Sequence, residues 1–326
     1  MNPHSRIFVA GHRGLAGSAL VRRLAGAGLT NLILRTHAEV DLRNQAQTQR
    51  FFADERPEYV FLAAAKVGGI LANSTYPAEF IHDNLAIQMN VMDAAYRNGA
   101  VKLAFLGSSC IYPRMASQPI REDALLSGPL EETNEWYAIA KIAGIKMAQA
   151  YWKQYGFPAI SIMPGNLYGP GDNFNLNTSH VLPALMRKAY EAREAGASEL
   201  VVWGSGTPRR EFLHVDDLAD ATVFLMQHYH QPDIINVGTG SDVSIRELAG
   251  IIQRVTGFSG ALRFDASKPD GTPRKLLDVS RLSVLGWRPR FTLEAGVADA
   301  YRWFVEHYTA DDSKTGAMGA ASTPQA

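Results

Sequence analysis

Arg6-Ile7-Phe8-Val9-Ala10-Gly11-His12-Arg13-Gly14-Leu15-Ala16-Gly17 is the stretch that decides the fold. A short apolar run passes directly into Gly-x-x-Gly-x-x-Gly, and a helix-like segment over 15–27 follows. The three glycines have separate physical tasks. Gly11 permits the tight turn, Gly14 lets backbone approach a diphosphate at the positive helix end, and Gly17 lets the helix lie close on the sheet. Three glycines in a loop are common. Their place between the first strand and the first helix gives the pattern its meaning.

Working outward, the first half alternates apolar runs with helical segments. Strands are expected at 6–10, 31–34, 59–64, 102–106 and 159–163, with helices at 15–27, 45–55, 78–97 and 134–155. Runs of four to six mostly apolar residues are the pattern of strands covered on both faces. The rhythm predicts an α/β fold with a doubly wound parallel Rossmann sheet. Thr133 or Asn134 is the expected cap of the last helix and Gly156 its stop. After Pro164 the rhythm changes. A Gly-, Pro- and Asn-rich loop over 168–177 precedes a helix at 180–194, a strand at 200–203, a helix at 215–227 and a strand at 234–237 that returns to the main sheet. The expectation is a dinucleotide-binding domain, 1–165 plus about 214–238. A smaller, discontinuous α/β substrate domain takes about 166–213 plus 239–308. The small, polar, aperiodic residues 309–326 read as a disordered tail.

Composition narrows the function. The chain has 326 residues, with 32 Lys plus Arg against 32 Asp plus Glu. A formal net charge of zero argues against binding nucleic acid through overall basicity. A single cysteine, Cys110, excludes an intramolecular disulfide and a thiolate-rich metal site, and no metal is expected. The start does not read as a signal peptide and no apolar run is long enough to span a membrane, so a soluble, cytoplasmic protein is expected.

Two constellations carry chemistry. At the end of the second strand an acid would accept the ribose hydroxyls of NAD, but Leu34-Arg35-Thr36-His37 places a cation there, which suits the 2′-phosphate of NADP. Gly107-Ser108-Ser109-Cys110-Ile111-Tyr112-Pro113 follows the fourth strand, and Tyr137-Ala138-Ile139-Ala140-Lys141 lies on a helix. The four-residue spacing sets Tyr137 and Lys141 on one face. A neighbouring ammonium favours the phenolate, which eases proton transfer at a carbonyl oxygen.

With these motifs the chain resembles the extended short-chain dehydrogenase/reductase family, whose catalytic Ser/Thr position matches Ser108. The blocks Ala63–Ile70, Gly107–Pro113, Tyr137–Gly144, Asn166–Pro170, Val202–Pro208, Arg210–Asp217 and Asp265–Lys275 are similar to its GDP-L-fucose synthase branch. That resemblance implies NADP(H) and the substrate GDP-4-keto-6-deoxy-D-mannose, epimerised at C3 and C5 and then reduced at C4. It implies Cys110 as base and His180 as acid for epimerisation, with Ser108, Tyr137 and Lys141 polarising the ketone. By themselves, a lone cysteine at a strand end such as Cys110 is more often a small buried hydrophobe, and His180 more often a surface or capping residue. Cofactor contacts are implied for Gly11, His12, Arg13, Gly14, Leu15, Ala16, Gly17, Arg35, His37, Asp41 and Leu42. They are implied also for Leu106, Gly107, Ser108, Ser109, Lys141, Pro164, Gly165, Asn166, Leu167 and His180. Substrate contacts are implied for Lys188, Trp203, Arg210 and Asp270, and a homodimer is implied through the helices near 78–97 and Tyr137. The chain departs from the branch at His37, where arginine is frequent, at Gly165 and at Gly171. Two further readings are a nucleotide-sugar 4-epimerase with tightly held NAD and a non-catalytic dinucleotide sensor.

Overall fold

A computed structural model describes residues 1–176, 178–268 and 270–308, apart from the side chains of Ile70 and Leu71. The expected tail, 309–326, lies outside the described residues.

The apolar runs of the first half become β1 (Ile7–Ala10), β2 (Leu32–Ile33), β3 (Tyr59–Leu62), β4 (Lys102–Leu106) and β5 (Ala159–Pro164). Between them lie α1 (Leu15–Gly26), α2 (Gln45–Glu55), α3 (Ile70–Thr75), α4 (Pro77–Arg97) and α5 (Glu135–Tyr155). The rest of the chain supplies β6 (Asn166–Tyr168), α6 (Val181–Glu194), β7 (Glu199–Trp203), β8 (Arg209–Arg210), β9 (Phe212–His214) and α7 (Val215–His228). It continues with β10 (Ile235–Val237), β11 (Val243–Ser244), α8 (Ile245–Thr256), β12 (Ala261–Asp265), β13 (Arg274–Lys275), α9 (Ser280–Val284) and α10 (Leu293–His307).

Among the described residues, six strands form one parallel sheet in the order β10-β5-β4-β3-β1-β2. The doubly wound α/β expectation is met, and residues 235–237 do return to the sheet beside β5. β2 is shorter than the expected 31–34. It is an edge strand with one partner, and pairing stops after Leu32 and Ile33 meet Ile7 and Phe8.

Two apolar layers cover the sheet. Phe8, Phe51 and Phe52 meet edge-on or tilted at 4.7–5.7 Å between centroids on one face, joined by Val91, Met92 and Phe105. The other face packs Leu20 and Leu24 of α1 against Leu218 and Val223 of α7. Each such fully buried side chain contributes about 1.5–3 kcal/mol through burial. A third cluster joins Leu182 and Met186 of α6 to Leu248 and Ile252 of α8 and Phe304 of α10. Small sheets surround it, β11-β8-β13 and β12-β7, while β6 pairs with β9.

Two details place the site. A Cβ on Gly144 would meet the Phe105 ring at 2.5 Å, so glycine lets α5 settle closely on β4. Gly156 ends α5 at φ 67°, as expected, whereas Asn134 at its start makes no side-chain cap. That amide is used elsewhere.

Candidate functional site

The turn after β1 has the geometry its glycines require. Gly11 has φ +80°, and a Cβ there would lie 2.8 Å from the Ala64 backbone. A Cβ on Gly17 would collide with the Gly11 carbonyl. Gly14, the N-cap of α1, differs: its added Cβ would meet only the Gly11 oxygen, at 3.5 Å. The approach to α1 over Gly14 is therefore open, and its first turn carries no acid to oppose an anion. The buried Nδ1 of His12 has no partner in the described structure. Leu15 and Ala16 pack on the core behind the turn. These features fit the diphosphate of a dinucleotide.

At the end of β2, exposed Arg13 and half-buried Arg35 both lie within electrostatic reach of Glu39. Arg35 is braced by an ion pair with Glu55 and a bond to the Leu34 carbonyl at 2.9 Å. The two guanidiniums fit a 2′-phosphate. His37 contributes differently. Its Nδ1 lies 3.5 Å from Asp41 and its Nε2 3.2 Å from the Arg43 guanidinium. Asp41 pairs with Arg43 at 3.0 Å, and the Leu42 carbonyl accepts from Asn90 at 3.0 Å. Sequence reasoning missed Arg43, which is the cation here; only its place beside Asp41 hinted at it.

The carboxyl ends of β4 and β5 bring the next residues together. The Lys141 ammonium, 3% exposed, donates to the Leu106 carbonyl at 2.8 Å and lies 5.7 Å from the centre of the Tyr137 ring. Burial pulls Lys141 down to about 7, and burial pushes the Tyr137 phenol up. A hydrogen bond with Ser108 opposes that rise, while the nearby Cys110 sulfur adds to it. Ser108 also accepts from the Cys110 backbone N–H at 3.2 Å. Gly107 packs against Met163, and Ser109 is buried. Pro164 ends β5, Gly165 N–H donates to Val237, and Asn166 bonds the Glu211 carbonyl at 2.7 Å. Leu167 lies on the second apolar layer.

Cys110 is half-buried, and two donors converge on its sulfur. Asn134 Nδ2 lies 3.3 Å away and Lys275 Nζ 3.7 Å away. The missing cap on α5 is thereby explained: the Asn134 amide turns to sulfur, and its Oδ1 stays buried without a partner. His180 is the N-cap of α6, and its side chain makes no cap bond. It keeps solvent access, yet crowding protein lowers its pKa through desolvation. The Thr178 carbonyl just before it accepts from Gly69 N–H at 3.2 Å, which ties the start of α6 to the loop after β3.

Residues expected at the substrate gather on the neighbouring small sheets. Trp203, 63% exposed, has Lys188 Nζ 4.8 Å and Lys268 Nζ 5.4 Å from its ring. Sequence reasoning gave Lys268 no role. Desolvation lowers both Lys188 and Arg210, with Glu131 opposing the effect at Arg210. Among the described residues neither has a carboxylate within ion-pair distance. A desolvated, unpaired cation is suited to a phosphate. Asp270 takes bonds from Ser205 N–H at 2.7 Å and Ser205 Oγ at 2.8 Å. It borders a cavity of about 160 Å³ with Thr207, Pro208, Gly271 and Pro273. Glu211, also missed, is 1% exposed and accepts from the N–H groups of Thr239, Gly240 and Leu277. It thereby fixes the strands carrying Arg210 and Lys275. Burial pushes its pKa up, against those hydrogen bonds.

Residues 7–238 match the NAD dependent epimerase/dehydratase family. The chain is 61% identical over 303 residues to GDP-L-fucose synthase 1 of Arabidopsis thaliana, covering 93% of this chain and 94% of that one. It is 56% identical over 311 residues to the GDP-L-fucose synthase of Escherichia coli (strain K12), covering 93% and 97%. The chain belongs to the GDP-L-fucose synthase family. A crystal structure of a GDP-L-fucose synthetase from Naegleria fowleri bound to NADP matches with a TM-score of 0.89 and 30% identity, over 94% of this chain and 95% of that one. NADP(H) is the cofactor of this family member, and the open turn at Gly14 with Arg13 and Arg35 has the shape and charge to suit its phosphates. Among the described residues no helix is long and apolar enough to cross a membrane, and no cluster could hold a metal ion.

Proposed function

We propose that this GDP-L-fucose synthase family member epimerises GDP-4-keto-6-deoxy-D-mannose at C3 and C5 and then reduces its C4 ketone to give GDP-L-fucose. One observation carries the reading: Tyr137 is hydrogen-bonded to Ser108 and sits within electrostatic reach of the Cys110 sulfur. A group that polarises a carbonyl and a group that takes the adjacent C–H proton thus share one site.

Ser108 and Tyr137 hold the C4 oxygen, and the Cys110 thiolate removes a proton from the neighbouring carbon. The electron pair passes to that oxygen as an enolate, which the two hydroxyls stabilise. His180, which opens α6, delivers a proton to the opposite face. NADPH, when bound, supplies hydride to C4. Tyr137 Oη protonates the resulting alkoxide, with Lys141 beside it stabilising the phenolate left behind. Lys188, Arg210, Trp203 and Asp270 hold the nucleotide diphosphate part. In this reading 1–165 with about 214–238 carries NADP, and about 166–213 with 239–308 holds the sugar nucleotide.

The same reading makes the protein a cytoplasmic homodimer. Exposed Met89 on α4 and Trp136 and Ile139 on α5 support a helical interface, which light scattering of the purified chain tests. A 4-epimerase would leave the donors around Cys110 without a task, and a sensor would not need the Tyr137–Ser108 contact. The deciding experiment supplies GDP-4-keto-6-deoxy-D-mannose and NADPH and identifies the product. GDP-L-fucose with one NADPH consumed supports the reading. No oxidation, or a product retaining the D-manno configuration at C3 and C5, overturns it.

A further inference from the structure

Cys110, in the turn after β4, and Lys275, on β13, lie 165 positions apart, yet Lys275 Nζ stands 3.7 Å from Cys110 Sγ. Lys275 is half-buried on β13, whose register beside β8 is fixed through the Glu211 N–H bond to the Lys275 carbonyl at 3.3 Å. The backbone of Lys275 is thus held by the small sheet while its side chain crosses to the end of β4. Among the described residues its ammonium has no carboxylate within ion-pair distance. The other groups that face the sulfur are Asn134 Nδ2 at 3.3 Å and the Tyr137 phenol. Asn134 is neutral, and Tyr137 anionic would repel a thiolate. Lys275 is the cation of the set.

We infer that Lys275 is a positioning residue for epimerisation, acting through Cys110: its ammonium pairs with the thiolate and makes that sulfur available as base. The inference rests on the proposed function and deepens it. In the step, the thiolate bonds the proton leaving carbon and becomes a thiol, the C–H electron pair moves to the enolate oxygen, and His180 donates to the opposite face. Solvent then takes the thiol proton and reprotonates His180. Lys275 keeps its charge throughout. The pairing has a second effect. An unpaired thiolate would raise the Tyr137 pKa further, so Lys275 also limits the repulsion between base and acid. Ketone reduction has no need of the thiolate and so depends on Lys275 much less.

Because the chain has one cysteine, thiol alkylation reads this pair without substrate. The full chain is treated with iodoacetamide across a pH series as parent, Lys275→Met and Lys275→Arg. A thiolate losing a nearby cation becomes rarer but more nucleophilic, so Lys275→Met should slow alkylation at pH 7 by roughly 3–10-fold and move its pH profile upward. Lys275→Arg should restore most of the rate. Label incorporation at C3 and C5 in deuterated water should fall in the Met variant by about tenfold, more than kcat for NADPH oxidation falls with ketone already epimerised. Unchanged alkylation in Lys275→Met, or exchange and reduction falling equally, overturns the inference. A folding defect shows as a far-UV spectrum or Tm unlike the parent in both variants; Asn134→Asp then serves as the second probe, and a sulfur reactivity that does not fall with the added anion overturns the inference. Failure of the parent to exchange label at all would defeat the proposed function instead, and the alkylation result would still stand or fall separately.

Discussion

The Lys141 ammonium lies 5.7 Å from the centre of the Tyr137 ring, one helical turn along α5, and its charge is held with almost no water around it. Burial brings it down to about 7 from 10.5. Below the lower value the folded protein carries a desolvated ammonium that the unfolded chain solvates freely, so the group opposes folding there in full. Between the two values that penalty shrinks as pH rises, because the unfolded chain binds the extra proton. Lys141→Met is therefore expected to show a Tm at pH 6.5 no lower than the parent's, with the difference closing toward pH 10.5. NADPH oxidation should meanwhile fall on the order of 10²–10⁴-fold. A variant markedly less stable at pH 6.5 would contradict this account.

The two halves of the reaction should separate by residue. In deuterated water Cys110→Ser is expected to lose label at C3 and C5, while Tyr137→Phe mainly loses reduction, each by roughly 10²-fold or more. Mass spectrometry of the sugar with parallel NADPH assays checks both. Equal losses in the two variants would show that the division of roles is wrong.

Gly14 and Gly17 make a matched pair. A Cβ on Gly17 strikes backbone, so Gly17→Ala should cost about 1–3 kcal/mol of stability and lower Tm. Gly14→Ala has room within the protein but fills the approach to α1. It should fold normally and bind NADPH about tenfold more weakly, or 1.4 kcal/mol. Calorimetry of unfolding and of NADPH binding distinguishes the two.

At the end of β2, Arg35→Ala should weaken NADPH by roughly 10–100-fold and leave NADH nearly unchanged, since a charge-assisted contact is worth about 1.5–3 kcal/mol. A similar loss for NADH would place Arg35 away from the 2′-phosphate.

Among the described residues Arg210 has no carboxylate within ion-pair distance; it is desolvated, and the Glu131 charge opposes that effect. Arg210→Met should raise KM for the sugar nucleotide by roughly 10–100-fold with a smaller change in kcat, and should not lower Tm. Steady-state kinetics with a thermal scan checks this; an unaltered KM would remove Arg210 from the diphosphate.

The main sheet was legible because its strands are continuous apolar runs separated by helical segments, a pattern set by burial on both faces. The phosphate turn was legible because Gly11, Gly14 and Gly17 meet distinct steric demands at fixed spacing. Tyr137 and Lys141 were legible for a similar reason: one helical turn separates them. What stayed hidden depends on distant pieces of chain meeting. Nothing near Lys275 or Asn134 in sequence points to Cys110, and the cap signal at Asn134 suggested another use for its amide. Glu211 looks like an ordinary acid between Arg210 and Phe212 until the N–H groups of Thr239, Gly240 and Leu277 are seen to meet it. Nothing near His37 in sequence shows that its ring lies between Asp41 and Arg43.

Trp203 stands out in solvent with two ammonium groups near its ring, at 4.8 and 5.4 Å. An indole excited state redistributes electron density, and charges at that range tune the colour of its emission. A diphosphate drawing those two lysines away would alter the glow of this one ring among the chain's five tryptophans. The chain thus carries a built-in lamp beside two ammonium groups, and a Trp203→Phe control would isolate its light.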